Sequence, residues 1–374
     1  MVDAAIACAD VWKLYGAGGR SWLAGRADPS PEDARAAGFT PAVCGVSLTA
    51  ARGEMLVVMG LSGSGKSTLL RCMARLTEVE AGVVRVAGRD IGALSPSQLV
   101  AMRRETMGMV FQSFALLPHR TALENVAFPL EMRGMGRRAR TARARDLLAL
   151  VGLEGREDFY PREMSGGQQQ RVGIARSLAI EPEIWFLDEP FSALDPLIRR
   201  EMQDEFLRLK AMRGRTIVFV THDFTEALRL ADRIAIMKDG RIEQIDAPDR
   251  IVLAPATDYV ARFTAEIDRA GVVRAAALAE PLDAVDADAP GPAADADATV
   301  RQLGRMLVED GRERIPVVAG GALIGVMSRR RALGILLGDA ACPSRSTTRK
   351  PAPRAGRLRA GASPARVPAS SGPR

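Results

Sequence analysis

Histidine is nearly absent from this chain. There are two in 374 residues, beside four cysteines (Cys8, Cys44, Cys72 and Cys342), none of which forms a C-x-x-C pair. That poverty speaks against a His/Cys zinc centre and against a disulfide framework. Reduced thiols are expected, and with them a cytosolic protein. Long apolar runs are also missing. "MLVVMG" is among the longest, far short of the roughly 18 residues of a membrane-crossing helix. The opening "MVDAAIACADVWK" holds Asp3 and Asp10 and no basic segment ahead of its apolar residues, which argues against a signal peptide.

Acidic residues are lacking from Ala341 onward, where eight of the 52 Lys/Arg fall. The net charge of +7 therefore belongs to the tail, since the remainder holds 44 bases against 45 acids. A near-neutral body does not suit a nucleic-acid surface, and no specific nucleic-acid partner is expected. The tail, residues 341–374, is rich in Pro, Ser, Ala and Gly and reads as disordered. Two readings of it stay open, an inert solvated end and a basic segment that touches anionic lipid or RNA.

What is present is apolar residues, 47% of the chain, enough for a sizeable core and about two domains. "EIWFLDEP" and "TIVFVTHD" are short β-rich runs that suit buried parallel strands. "RIAIMKDGRIEQID" predicts a hairpin turning at Asp239-Gly240. Residues 96–180 read as mostly helical. Strands alternating with helices predict an α/β domain with a parallel sheet over 1–263. The polar, Pro/Gly-punctuated stretch from Arg20 to about Pro41 reads as an excursion. Residues 264–298 read as an acidic Ala/Pro-rich linker. Residues 299–340 have helix–strand–turn–strand–helix character, a small second module.

The chemistry begins with "GLSGSGKST", Gly60 to Thr68. G-x-x-x-x-G-K-S/T is met by Gly60, Gly65, Lys66 and Ser67, after an apolar run and before a predicted helix, the context the motif requires. Glycines there let backbone N–H groups, including those of Ser62, Gly63 and Ser64, wrap phosphates. Lys66 reaches the outer phosphates, and the Ser67 hydroxyl is placed to ligate magnesium. "IWFLDEP" ends in Asp188, a candidate magnesium carboxylate, and Glu189, a candidate general base. Gln112 follows "GMVF" and His222 follows "IVFVT", polar residues at strand ends in a fixed order around one phosphate loop. "MSGGQQQRVGIARSLA", from Met164, places two glycines at a helix start, a second place to hold an anion.

Glycine loop, "FQ", "SGGQ", "LDEP", "SALD" and "TH" resemble, in that order, the nucleotide-binding subunits of ABC transporters. The resemblance covers residues 1 to about 263. It implies a RecA-like core, an antiparallel β subdomain and a helical subdomain. It implies ATP and Mg2+, with Lys66, Ser67, Gln112, Asp188, Glu189 and His222 around the γ-phosphate and metal. Ser165, Gly166, Gly167 and Gln168 would close over ATP held by a second subunit, Asp195 would lie at the dimer face, and Tyr15 would stack on adenine, with Trp12 close by as an alternative. Two subunits would close on two ATP and reopen after hydrolysis.

"VMGLSGSGKSTLLRCMARL", "MVFQSFALLPHRTALENVAF" and "FSALDPLIRREMQDE" are similar to ATPase subunits of importers for quaternary amines such as glycine betaine, choline and proline. That likeness implies an ATPase at the cytoplasmic face of the inner membrane, peripheral to it. It would work with permease subunits and, indirectly, a solute-binding protein. "RIPVVAGGALIGVMSRRRALGILL" resembles a single CBS motif. The segment after Gln112 suggests a groove for a short helix of a membrane partner, with Pro118 to Thr121 on the surface. An importer for another solute and a soluble non-transport ABC ATPase are the alternatives.

Overall fold

The apolar runs lie side by side. The structure, a computed structural model, describes residues 4–280 and 292–338. The middle of the expected linker and the basic tail lie outside these residues. In chain order the strands are β1 (Ala4–Tyr15), β2 (Thr40–Ala51), β3 (Met55–Met59), β4 (Ala81–Val86), β5 (Arg89–Asp90), β6 (Met107–Val110), β7 (Ile184–Asp188), β8 (Thr216–Thr221), β9 (Arg233–Lys238), β10 (Arg241–Asp246), β11 (Ala294–Asp295), β12 (Arg314–Ala319) and β13 (Ala322–Ser328). A six-stranded sheet runs β10-β9-β3-β8-β7-β6. It is parallel except for β10, which pairs antiparallel with β9. Their two-residue connection has Asp239 at φ 49° and Gly240 at φ 78°, the positive pair a hairpin turn requires.

Every residue of β3, β7 and β8 is buried, because this sheet has protein on both faces. The pleat sends alternate residues to different cores. Met55, Val57, Trp185, Leu187, Ile217 and Phe219 face one core, shared with the helices Ala122–Met132, Arg137–Leu150 and Gly166–Leu178. Leu56, Val58, Ile184, Phe186, Val218 and Val220 face the other, shared with the helix Lys66–Met73 and the antiparallel sheet β2-β1-β4-β5. Trp185 stacks on Phe206 at 4.6 Å and Phe191 meets Phe206 edge-on at 5.1 Å. Such fully buried aromatics contribute about 1.5–3 kcal/mol each.

The stretch from Arg20 to Pro41 is less of an excursion than its composition suggests. It forms the helices Gly19–Ala24 and Pro31–Ala36. Ser30 caps the second in a reciprocal box with Asp33. Leu23 and Ala34 are buried with Trp12, Leu14 and Cys44. In the second helix few apolar anchors suffice because the capping box and an N1 proline supply its start.

The helix–strand–strand–helix pattern after residue 299 is present as the helix Gly304–Glu309, β12, β13 and the helix Arg329–Leu337. Residues 264–280, inside the stretch read as linker, behave differently from that reading. They form the helices Arg269–Val272 and Ala275–Leu278. Ala270, Val273, Ala275 and Leu278 are buried with Ala294, Ile315, Val317 and Met327 in one core. Alanine-rich composition hid this, since small residues pack a tight interior without marking themselves as apolar. Arg274 binds buried Asp249 in the helix Pro248–Leu253, Nη2 to Oδ2 at 3.0 Å. Among the described residues no helix is long and apolar enough to cross a membrane.

Candidate functional site

Four adjacent parallel strands end at one cleft. β3 runs into the glycine loop, β6 into Gln112, β7 into Asp188 and Glu189, and β8 into His222. Loops at the carboxyl ends of parallel strands are the common ligand position in α/β sheets. The cleft has a volume of about 550 Å³ and is lined by Ser62, Gly63, Gly65, Lys66, Ser67 and Thr68, by Gln112, Glu189 and His222, and by Tyr15, Thr40, Pro41 and Ala42.

The loop's shape depends on glycine. Gly65 lies at φ 100°, and a Cβ there would sit 2.0 Å from the Ala42 carbonyl oxygen. Gly60 and Ser64, within the loop, are buried and do not line the cleft. The Ser64 carbonyl accepts from Gly240 N at 3.0 Å, and Leu61 N donates to the Tyr259 hydroxyl at 3.3 Å. Thus the hairpin turn and the helix Asp258–Thr264 brace the loop from below.

Lys66 is buried, and its Nζ donates to Leu61 O at 3.0 Å. Burial lowers its pKa, and the negative charges of Glu189 and Asp188 oppose that shift. The Ser67 hydroxyl donates to Asp188 Oδ1 at 2.6 Å. Asp188 is wholly buried, and burial raises its pKa despite that hydrogen bond and the charge of Arg71. Its other oxygen, Oδ2, has no hydrogen-bond partner, with Arg71 Nη2 3.7 Å away. A buried carboxylate oxygen left without a donor beside a hydroxyl fits a hard cation. Among the described residues no three His, Cys, Asp or Glu gather into a metal cage. A cation here would take substrate oxygens and water for its remaining ligands, as Mg2+ does.

Glu189 has φ 48°, a left-handed conformation that costs a non-glycine residue about 1–2 kcal/mol. Its backbone N–H donates to Val220 O at 3.0 Å. Its carboxylate Oε2 lies 3.3 Å from His222 Nδ1 and accepts from Gln112 Nε2 at 3.5 Å. Gln112 and His222, from two other strand ends, thus converge on the Glu189 carboxylate.

Of the two aromatics near the cleft, only Tyr15 lines it, half exposed with Lys13 Nζ 5.4 Å from its ring centre. Trp12 is buried, its indole N–H donating to Asp10 Oδ1 at 3.2 Å.

Ser165, Gly166, Gly167, Gln168 and Asp195 do not line this cleft. Ser165 and Gln168 form a capping box at the start of the helix Gly166–Leu178, and Asp195 caps the helix Pro196–Arg213 through Leu197 N and Ile198 N. Ser165 and Gly166 are exposed. Met164 is buried in the main core. In the segment after Gln112, wholly buried Asn125 holds Leu117 N at 2.8 Å and the carbonyls of Leu117 and Arg120 at 3.1 and 3.0 Å. Pro118 and His119 are exposed, whereas Arg120 and Thr121 are half-buried.

Several contributors escaped sequence reasoning. Thr40 to Ala42 arrive through the ordered excursion, and Tyr259 lies far along the chain. Gln170 is wholly buried. Its one signal was a polar side chain in register with apolar Ile174 and Leu178 on the inward helix face.

A family profile described as ABC transporter matches residues 43–192. The chain is 62% identical over 336 residues to the trimethylamine N-oxide transport system ATP-binding protein TmoW of Ruegeria pomeroyi, covering 89% of this chain and 97% of that one. It is 48% identical over 254 residues to the glycine betaine transport ATP-binding protein OpuAA of Bacillus subtilis, covering 68% of this chain and 61% of that one. Among solved structures, a dimeric post-hydrolysis state of an ATP-binding cassette bound to ADP and Pi aligns with TM-score 0.57 and 34% identity, covering 65% of this chain and 98% of that one. The sheet order, the phosphate loop joined to Asp188 through Ser67 and the near full-length match agree: the chain belongs to the ATP-binding ATPase subunits of ABC transporters.

Proposed function

We propose that this chain is the energy-coupling ATPase of an importer for small trimethylated amines, with trimethylamine N-oxide its first candidate solute. The observation that carries the ATPase half is the convergence of Lys66, Ser67, Gln112, Glu189 and His222 on one cleft above buried Asp188. The solute half rests on the two relatives. The trimethylamine N-oxide subunit matches along nearly its whole length, the betaine subunit over about three fifths of it. Both solutes carry a trimethylated, positively charged nitrogen and an anionic oxygen. No residue of this chain is assigned to the solute, whose selection falls to permease subunits and a solute-binding protein.

Lys66 and the loop amides hold the phosphates of ATP, and Tyr15 packs on the adenine. Ser67, Asp188 and Gln112 would hold Mg2+, which when bound would supply charge neutralisation for the transferring phosphoryl group. Glu189 accepts a proton from the attacking water, while Gln112 and His222 fix its carboxylate. The bond to the β-phosphate breaks, leaving ADP and phosphate. Ser165 to Gln168 and Asp195, outside their own cleft, complete the site of a second copy, so two chains enclose two ATP. The permease places this pair at the cytoplasmic membrane face.

We divide the chain at about residue 263. Residues 264–280 join 292–338 in a C-terminal module whose element order is similar to one CBS unit. The shared core and the Arg274–Asp249 pair support its role as a packed appendage fixed to the cassette.

The test is cellular uptake of labelled trimethylamine N-oxide, glycine betaine, choline and proline, wild type against Lys66→Ala. Uptake of trimethylamine N-oxide that vanishes with Lys66→Ala supports the reading. Lys66-dependent uptake of another solute alone moves the assignment to that solute, and no Lys66-dependent uptake removes it.

A further inference from the structure

Gln170 lies two residues past the Ser165–Gln168 segment, on the inward face of the same helix, and is wholly buried. Its amide spans the turn that follows β7. Nε2 donates to the Glu189 carbonyl at 3.1 Å, and Oε1 accepts from Ala193 N at 3.0 Å. The Glu189 carbonyl also accepts from the Ser192 hydroxyl at 3.1 Å. This turn is the one that holds Glu189 in a left-handed conformation. The helix start comes close to the same turn, for a Cβ on Gly167 would lie 3.0 Å from Ala193 O. Farther along, Arg176 donates to the carbonyls of Phe114 and Ala115 at 2.9 and 2.7 Å, just past Gln112.

Glu189 O has a local donor in Ser192, whose backbone N–H also donates to it at 3.3 Å, but the Gln170 amide, with both a donor and an acceptor, bridges Glu189 O and Ala193 N and so fixes the two ends of the turn to one side chain. Rotation of the peptide after Glu189 would leave a buried amide unpaired, which is costly. The direction of the Glu189 carboxylate is therefore set partly from the helix that carries Ser165 to Gln168.

We propose that Gln170 is a positioning residue for hydrolysis. Its amide locks the Glu189–Ala193 turn so that the Glu189 carboxylate points into the cleft, and it ties that aim to the segment that meets a second copy's nucleotide. This rests on the reading of Glu189 as the base. Gln170→Met keeps the volume and removes both hydrogen bonds. Gln170→Glu keeps the bond from Ala193 N and removes the donor to Glu189 O.

The experiment measures steady-state ATPase and ATP-dependent dimer mass of the full chain for Gln170→Met, Gln170→Glu and Glu189→Gln. Gln170→Met lowers kcat about tenfold to a hundredfold, the cost of a misplaced catalytic group. KM for ATP stays within about threefold, since ground-state binding is untouched. The ATP-bound dimer should accumulate, as is expected for Glu189→Gln, a signature that a merely structural role would not produce. If Gln170→Met shows no cooperative unfolding transition, Gln170→Glu is judged by the same criteria. A kcat within about twofold of wild type, or a dimer lost together with a raised KM, overturns the proposal. Normal Gln170→Met turnover beside inactive Glu189→Gln fails this proposal alone. Normal Glu189→Gln turnover fails the base assignment beneath it.

Discussion

Ser67 and Asp188, 121 residues apart in sequence, are joined by a 2.6 Å hydrogen bond between hydroxyl and carboxylate. The bond brings the start of the phosphate-loop helix against the end of β7 and leaves Asp188 Oδ2 buried without a donor. Asp188→Asn retains the shape and removes the charge. ATPase activity should fall about a hundredfold or more, with a higher Mg2+ concentration at half-maximum, as expected when charge stabilisation at the phosphates is lost. Chelation of Mg2+ should stop the wild-type reaction. Titration of activity against Mg2+ checks this, and an unchanged profile for Asp188→Asn would contradict the metal assignment.

The glycines of the loop are not equivalent. A Cβ at Gly65 meets Ala42 O at 2.0 Å, whereas at Gly63 it meets nothing within 4 Å. Both residues have positive φ. Gly63→Ala should cost about 1–2 kcal/mol from backbone strain alone. Gly65→Ala adds a backbone collision, so it should cost more and abolish ATP binding. Thermal unfolding and fluorescent-nucleotide titration of the two variants measure the difference. Equal effects would refute the geometric account of Gly65.

Ser165 is exposed and lies outside its own cleft. In the proposed composite site, Ser165→Arg places a bulky charge where a second copy would approach. Hydrolysis should fall to background while ATP affinity stays within about threefold, because binding in one chain's cleft does not use this residue. Turnover at the wild-type rate would refute the composite site.

Burial raises the thiol pKa of Cys8 to about 12 and of Cys44 and Cys72 to about 11, from an ordinary 9.0. These residues should resist alkylation at neutral pH in the native protein and react after denaturation, as mass spectrometry would record. The folded state holds these protons more tightly than the unfolded chain. Their contribution to stability is therefore complete below pH 9 and lost as pH rises toward 11–12. An unfolding midpoint flat across that window would contradict their burial.

Much of the site was readable in sequence because its chemistry is local. Short apolar strands each deliver one polar residue, and "GLSGSGKST" carries its own backbone requirement in its glycines. What stayed hidden depends on distant chain. Tyr259 steadies Leu61 from nearly 200 residues away. The left-handed Glu189 shows no sign in a sequence where glycine would have marked it. Gln170 ends a run of three glutamines, and only helix phase turns it inward. The segment 264–280 was obscured for the opposite reason, since its alanines resemble linker composition yet fill a core. Trp12 stood as the alternative to Tyr15 for adenine, and strand alternation turns Trp12 inward and Tyr15 toward the cleft.

The central claim is that two copies close on ATP and that Glu189 governs reopening. The most direct measurement is the solution mass of Glu189→Gln with and without ATP and Mg2+. The account predicts a stable dimer with ATP, one nucleotide per chain and no release of phosphate, and a monomer without it. A variant that stays monomeric at saturating ATP, or that hydrolyses at the wild-type rate, would contradict it.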